Sequence, residues 1–213
     1  VRKPVVAVID YGMGNLRSVA KALELAGANV IVSANAHTIK SADEMVFPGV
    51  GAFIPALKKL RDSGLDDVIK ESIFCNKPFL GLCLGFQLLF DSSTEGGKRN
   101  GLGIFGGSVQ RFSFSGANKA LKVPHMGWNR VSVHSSVAKN TMFKEIPDGS
   151  YFYFVHSYYA RPKDSAVVAA TSGYGINFCS AVASGKVWGC QFHPEKSGPT
   201  GIKLLKNFLN EAS

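Results

Sequence analysis

Gly81-Leu82-Cys83-Leu84-Gly85 and, 110 residues further on, His193-Pro194-Glu195 are the segments of this chain whose residue types and spacing could do chemistry together. The first has the form of a nucleophile elbow with a thiol in place of the hydroxyl. Lys77 to Leu82 reads as a short buried strand and Leu84 to Phe90 as the helix that follows. A backbone that turns so sharply holds its central residue in a strained conformation with the side chain exposed. Gly81 and Gly85, two positions either side, let strand and helix close up without Cβ clashes. Cys83 then lies at a helix N-terminus, where the macrodipole favours thiolate. The Leu84 amide is left to donate to an oxyanion. The second segment supplies a base and the group that orients it. Val187 to Phe192 reads as a strand running into His193, and on an extended chain residues two apart point the same way. Glu195 can therefore reach one ring nitrogen of His193 while the other faces the thiol. Nucleophile, base and orienter form a triad suited to acyl transfer through a thioester. Alone, the first motif also fits a small core cysteine and the second a surface turn; their combination favours the triad.

Four further segments carry polar or apolar groups that need an account. Pro48-Gly49-Val50-Gly51-Ala52-Phe53 follows a strand and precedes a helix. Its glycines permit positive φ and let amides face a ligand; it fits the second half of an oxyanion hole and an ordinary strand-to-helix turn equally. Asp10-Tyr11-Gly12-Met13-Gly14-Asn15 lacks the third glycine of a dinucleotide fingerprint, Arg17 standing there, and no acidic residue ends the next strand near position 32, so a dinucleotide site is rejected. Asn15 fits the N-cap of the following helix. Pro124-His125-Met126-Gly127-Trp128-Asn129 gathers apolar groups in a loop, either as a contact with another protein or as a lid over the core. Tyr151 to Tyr159 crowds Tyr and Phe into what reads as a buried strand, with hydroxyls seeking partners.

The scaffold that must position these groups alternates strand and helix. Pro4–Ile9, Asn29–Val32 and Glu44–Phe47 read as strands; 53–61 and 65–74 read as helices. Leu16–Ala26 reads as a helix with Leu16, Val19, Ala20, Leu23 and Ala26 on one face, closed by Gly27. The second half breaks into short strands near 108–112, 129–133, 151–155, 167–171, 178–183 and 187–192, with a closing helix over 201–209. The expected fold is α/β: a mostly parallel central sheet covered by helices on both faces, with additional antiparallel strands in the second half. Sites in such sheets lie beyond the carboxyl ends of the strands, where Cys83 and the 10–15 and 48–51 loops all fall.

The chain has 213 residues and is expected to form one domain, 1–213. No apolar run approaches bilayer length, and the N-terminal apolar stretch runs straight into Asp10 without a signal-peptide pattern. Cys75, Cys83, Cys179 and Cys190 show no metal-type pairing, which points to no metal site and a reduced, cytoplasmic chain. Cys75, Cys179 and Cys190 are assigned to the core. The net charge of +9 is dispersed along the chain, which favours an acidic protein partner or simple solubility over nucleic acid or a membrane. His37, His125, His134 and His156 receive no role.

Gly81–Gln87 with His193–Glu195 and Pro48–Phe53 resembles the class I, or triad, glutamine amidotransferases over essentially the whole chain. Within that family, Asp10–Asn15, Pro124–Asn129, Tyr151–Tyr158 and 193–197 are similar to members that deliver ammonia to a (β/α)8-barrel synthase of histidine biosynthesis. The resemblance implies hydrolysis of L-glutamine to glutamate and ammonia without a cofactor, in a heterodimer with that barrel. Carried over position by position, it implies Cys83 as nucleophile, His193 as acid and base, and Glu195 as its orienter. It implies amides of Gly49, Val50, Gly51 and Leu84 in the oxyanion hole, and Gln87, Glu95, Ser157 and Tyr158 as glutamine-binding. It further implies Asn15, Tyr153 and Lys196 near the ammonia exit, with Pro124, Met126 and Trp128 docking on the barrel. Phe86 departs from the family, where many members carry Met, and the change is apolar. The rival readings are a glutaminase feeding a sugar-aminating synthase and a stand-alone cysteine hydrolase with the same elbow.

Overall fold

The protein is described by a computed structural model covering residues 2–97, 99–134 and 142–211. The first half follows the alternation of its hydrophobic pattern: β1 (Val5–Ile9), α1 (Leu16–Ala26), β2 (Asn29–Ser33), α2 (Ala36–Ser41), β3 (Glu44–Gly49), α3 (Phe53–Asp62), α4 (Leu65–Phe74), β4 (Phe79–Cys83) and α5 (Leu84–Leu88). β5 (Phe90–Ser93), β6 (Arg99–Asn100), β7 (Phe105–Arg111), β8 (His125–Arg130), β9 (Ser132–Val133), β10 (Tyr151–His156) and β11 (Tyr158–Pro162) come next. β12 (Val168–Tyr174), β13 (Ile176–Ser184), β14 (Val187–Cys190) and α6 (Gly198–Glu211) complete the described elements.

The main sheet runs β2-β1-β3-β4-β14-β13-β11-β7-β5-β6, with β12 and β9 branching from β13. From β2 to β14 every pairing is parallel. Beyond β14 the pairings are antiparallel, except for β5 with β7. Strand alternation splits the core between the two faces. Val6, Val8, Val46, Leu80 and Leu82 meet α1 and α6 through Val19, Leu23, Leu204 and Phe208. Ala7, Ile9, Met45, Phe47 and Phe79 meet α2 to α5 through Ile39, Leu57, Leu60, Ile69 and Phe86. Among the described residues no helix is long and apolar enough to cross a membrane.

The structure departs from the sequence reading in several places, each for a tertiary reason. Pro124–Asn129 is no loop: His125–Arg130 is β8, paired with β10 in a separate two-stranded sheet. In that sheet His125, Phe152, Phe154 and His156 point inward, while Met126, Trp128 and Tyr151 face solvent. The 151–159 segment is therefore amphipathic rather than wholly buried. The helix expected over 84–90 stops at Leu88 because Phe90 opens β5. The strand expected over 129–133 divides into the ends of β8 and β9, which belong to different sheets. The buried side of α1 includes Ala22 rather than Ala20. Asn15 occupies the N-cap of α1, but its side chain makes no capping bond. Cys75 is exposed, not in the core. α2, β5, β6 and β11 carried too few residues or too little pattern to be read in advance.

Glu44, at the start of β3, is 1 % exposed, and neither carboxylate oxygen has a partner among the described residues. Burial first, then the neighbouring Asp43 charge, pushes its pKa up to about 8. The folded chain thus holds a proton that the unfolded chain releases above the ordinary carboxylate pKa, so stability falls as pH rises from there to about 8. Glu44→Gln removes this titration. Its stability relative to the parent should rise between pH 5 and 8, reaching roughly 2–4 kcal/mol. Urea unfolding at several pH values measures the difference, and a pH-independent difference would show that Glu44 titrates normally.

Candidate active site

β4 lies between β3 and β14, all three parallel, with Gly49 opposite Cys83 and Cys190 opposite Leu82. Their carboxyl ends therefore open at one edge, and residues distant in sequence become neighbours there. Cys83 ends β4 at φ +52°, ψ −106°, a conformation L-residues seldom adopt. Holding it costs on the order of 1–3 kcal/mol, which the surrounding packing must sustain. The packing is tight: a Cβ on Gly85 would stand 2.0 Å from the Phe47 carbonyl oxygen, so only glycine lets α5 sit on β3. A Cβ on Gly49 would meet the Tyr11 hydroxyl at 2.7 Å and the Gly85 nitrogen at 2.8 Å. α5 itself has only five residues, a shorter dipole behind Cys83 than the sequence suggested.

His193 follows β14. Its N–H donates to the Tyr153 carbonyl at 2.9 Å, and its own carbonyl accepts from Ser197 Oγ at 2.6 Å. Ser197 Oγ in turn accepts from Tyr153 N–H at 3.0 Å. His193 Nδ1 and Glu195 Oε1 are 2.8 Å apart, with both side chains almost fully buried. The contact is made through a 3₁₀ turn, Pro194–Lys196, not along an extended strand as the spacing suggested. With Nδ1 engaged by Glu195, Nε2 is the other polar edge of the ring. Nε2 is buried with no hydrogen bond of normal geometry among the described residues. Burial alone would lower the His193 pKa. The Cys83 charge and contact, followed by the Glu195 hydrogen bond and charge, outweigh it and raise the pKa to about 10. Cys190, fully buried beside the pair, is pushed well up by burial and then by Glu195 and Cys83, so its thiol stays protonated.

A cavity of about 320 Å³ opens onto these groups. Val50, Gly51, Cys83, Leu84, Gln87, Glu95, Pro124, Ser157, Tyr158, His193 and Lys196 line it. Glu95 Oε2 accepts from Phe53 N–H at 3.0 Å, which satisfies an amide in the first turn of α3 and fixes Glu95 at the cavity wall. Gln87 is less available than its expected role requires: its Nε2 donates to the Tyr158 carbonyl and to Gln191 Oε1, both at 2.9 Å. Gly49, Asn15 and Glu195 lie behind the cavity around a void of about 10 Å³, the size of one water. Met126, Trp128 and Tyr153 sit outside it on the two-stranded sheet, where Trp128 packs edge-on to Tyr153 and Lys196 lies over the Tyr153 ring. The sequence reading missed Gln191, whose Nε2 is 3.8 Å from Cys83 Sγ, and Tyr11, whose buried hydroxyl lacks a partner among the described residues. Gln191 carried a signal, since it lies two residues before His193 on an inward-facing strand end. Among the described residues no three His, Cys, Asp or Glu side chains cluster as metal ligands.

A thiol on a strained strand-to-helix turn, beside a His–Glu pair in the turn that follows the adjacent parallel strand, is an arrangement suited to a cysteine nucleophile in an open α/β fold. The description "glutamine amidotransferase class-I" matches residues 7–212, and the chain belongs to that family. It is 48 % identical over 204 residues to "Imidazole glycerol phosphate synthase subunit HisH" of Acinetobacter baylyi, covering 96 % of this chain and 97 % of that protein. It is 51 % identical to the protein of the same name from Methylococcus capsulatus, covering 96 % and 95 % respectively. A solved structure titled "Crystal structure of glutamine amidotransferase" aligns with TM-score 0.74 at 20 % identity, covering 97 % of this chain and 98 % of that one. PurLQS from Thermotoga maritima aligns with TM-score 0.72 at 18 % identity, over 98 % and 99 %. At such identities the structural matches speak for the fold alone.

Two outcomes follow from this geometry. Gly85→Ala should cost about 3 kcal/mol or more, because neither the Phe47 carbonyl nor α5 can retreat freely; chemical denaturation reads the loss. Cys83→Ala should return the His193 titration toward the ordinary imidazole range, and Glu195→Gln should lower it by less, matching the order of the charges acting on the ring. The stabilisation from protonated His193 is full below the ordinary imidazole pKa and is lost as pH rises through about 10. An NMR titration of labelled histidine tests this, and an unshifted His193 in Cys83→Ala would contradict it.

Proposed function

We propose that this chain is the glutaminase subunit of an imidazole glycerol phosphate synthase, one amidotransferase domain that releases ammonia from L-glutamine for a (β/α)8-barrel partner in histidine biosynthesis. The convergence of Cys83 and His193 on one cavity, with Glu195 holding the imidazole ring from behind, carries the reading. Near-full-length relatives that share the subunit's name support the choice of synthase.

The chemistry runs as acyl transfer. The Cys83 thiolate attacks the amide carbon of glutamine and forms a C–S bond, and the carbonyl electrons move to oxygen. Amides of Leu84, Val50 and Gly51, which line the cavity, hold that oxyanion, while Gly49, expected among them, lies behind it; loss of one donor costs about 3 kcal/mol. His193, protonated at Nε2, gives its proton to the departing nitrogen; the C–N bond breaks, leaving ammonia and a glutamyl thioester. Neutral His193 then takes a proton from water as it attacks the thioester. Glutamate leaves, and the thiolate is restored. Glu195 holds the ring by Nδ1 and stabilises the imidazolium. Glu95 Oε1 suits the α-ammonium of glutamine, with Ser157 and Tyr158 on the opposite wall. Gln87 contributes at most its carbonyl oxygen, since both of its amide hydrogens are spent within the protein.

The exposed Met126 and Trp128, 62 % and 56 % accessible, support a docking face continuous with Pro124, Tyr153 and Lys196. That face adjoins the cavity through Pro124 and Lys196, which line it. Asn15 and the small void behind His193 lie on the route we assign to ammonia. Four free thiols support a cytoplasmic setting.

Reconstituted with a barrel subunit, Cys83→Ala should lose glutamine-dependent product formation by at least roughly 10³-fold while ammonium salts still support the barrel's reaction. Loss of both activities would mean that Cys83 acts structurally. Full glutaminase activity without any partner would instead favour a stand-alone hydrolase.

A further inference from the structure

The geometry points to Gln191 as a positioning residue for the nucleophile: its side-chain amide, turned to a single orientation by Gln87, donates from Nε2 to the Cys83 sulfur. This inference rests on the reading of Cys83 as the nucleophile and adds a residue to that site.

Orientation is the core of the argument. A buried amide can be flipped, and only its partners tell oxygen from nitrogen. The Tyr158 carbonyl can only accept, so the Gln87 atom 2.9 Å from it is a donor nitrogen. That nitrogen is also 2.9 Å from the Gln191 amide, and two donors cannot face each other, so Gln191 presents its oxygen there. The Gln191 nitrogen is therefore the atom 3.8 Å from Cys83 Sγ, within reach of a sulfur acceptor. Gln191 is 0 % exposed and Gln87 5 % exposed, so water offers neither amide an alternative.

The Tyr158 carbonyl that starts this chain is itself held. It accepts from His156 Nδ1 at 2.7 Å, which makes His156 Nε2 the acceptor for His125 Nδ1 at 2.9 Å. His125 Nε2 then accepts from Asn129 Nδ2 at 3.2 Å, an amide also anchored on the Gly173 carbonyl. Burial holds both rings neutral, with pKa values lowered to about 4 for His125 and about 3 for His156. Each link in the row pairs one donor with one acceptor, and the row runs from β8, beneath Met126 and Trp128, to the sulfur. This gives the two buried histidines a function that the triad does not. It also offsets the shortness of α5, whose five residues bring little dipole to Cys83.

The experiment is alkylation of Cys83 by iodoacetamide in the full chain, followed by mass spectrometry of the Cys83 peptide because Cys75 is exposed. Gln191→Glu keeps the shape and the acceptor for Gln87 but replaces the donor with a carboxylate oxygen. Its alkylation rate at pH 7 should fall roughly tenfold or more, the scale of one hydrogen bond to a charged group, while the rate at pH 10 stays within about twofold of the parent. Gln191→Met, similar in volume and uncharged, should show the same pattern and serves if the glutamate variant does not fold. Gln87→Leu should show a smaller loss at pH 7, and Gln87→Leu with Gln191→Met no more than Gln191→Met alone. Parent-like rates at pH 7, or equal losses at both pH values, would overturn the inference. Protection of the parent Cys83 by L-glutamine in the same assay tests the glutaminase reading separately.

Discussion

Everything at this site depends on the contact between α5 and β3, where Gly85 lies against the Phe47 carbonyl with no room for a Cβ. That contact brings the start of α5 down onto the sheet and forces the chain to turn at Cys83 with φ +52°. Because β4 is flanked by β3 on one side and β14 on the other, the same turn sets the sulfur between the glycine loop after β3 and the imidazole after β14. The strain at Cys83 is held by two apolar layers, one on each face of a parallel sheet, rather than by any bond at the site. Packing far from the chemistry thus supports a conformation that the residue would not adopt alone.

The buried polar groups fall into two kinds. Asn129, His125, His156, Gln87 and Gln191 are joined donor to acceptor in one row, so their burial carries little penalty and leaves each amide and ring a single orientation. His193 Nε2 and Glu195 Oε2 are buried without partners among the described residues, and they stand where a substrate, a proton or a single water would satisfy them. Tyr11 joins this second group: burial and the Cys83 charge raise its pKa well above the ordinary phenol value, and its hydroxyl sits against Gly49 of the glycine loop. Glu44 also lacks a partner among the described residues but lies at the opposite, amino end of β3, so its burial lowers stability with no return at the site around Cys83.

The two-stranded sheet of β8 and β10 links surface to site. Its outer face carries Met126, Trp128 and Tyr151; its inner face carries the two histidines, Phe152 and Phe154. The Tyr153 carbonyl on β10 holds His193 by its backbone, and Ser157 and Tyr158, where the chain passes from β10 into β11, line the cavity. A partner seated on the outer face therefore rests one strand away from both the base and the walls of the pocket.

Local residue types were enough to mark the elbow, the His–Glu pair, the glycine loop and the strand–helix alternation of the first half, because each of these depends on neighbours a few positions away. The bounds read for Leu16–Ala26 and Leu65–Phe74 match the structure, and for the first the apolar spacing and the following Gly27 act locally. Tertiary structure alone decided the rest. β8 looked like a loop because its strand character comes from pairing with β10, and alternating exposed Met126 and Trp128 gave no core-facing pattern of their own. Gln191, His125 and His156 had no visible role because a buried amide or imidazole takes its meaning from the atoms that face it. The deciding partners, His125 for His156, and Gln87 and Cys83 for Gln191, lie 31 to 108 residues away in the chain. Spacing along a sequence can say which residues are able to react, but the identity of a hydrogen-bond partner is set only when distant strands pack.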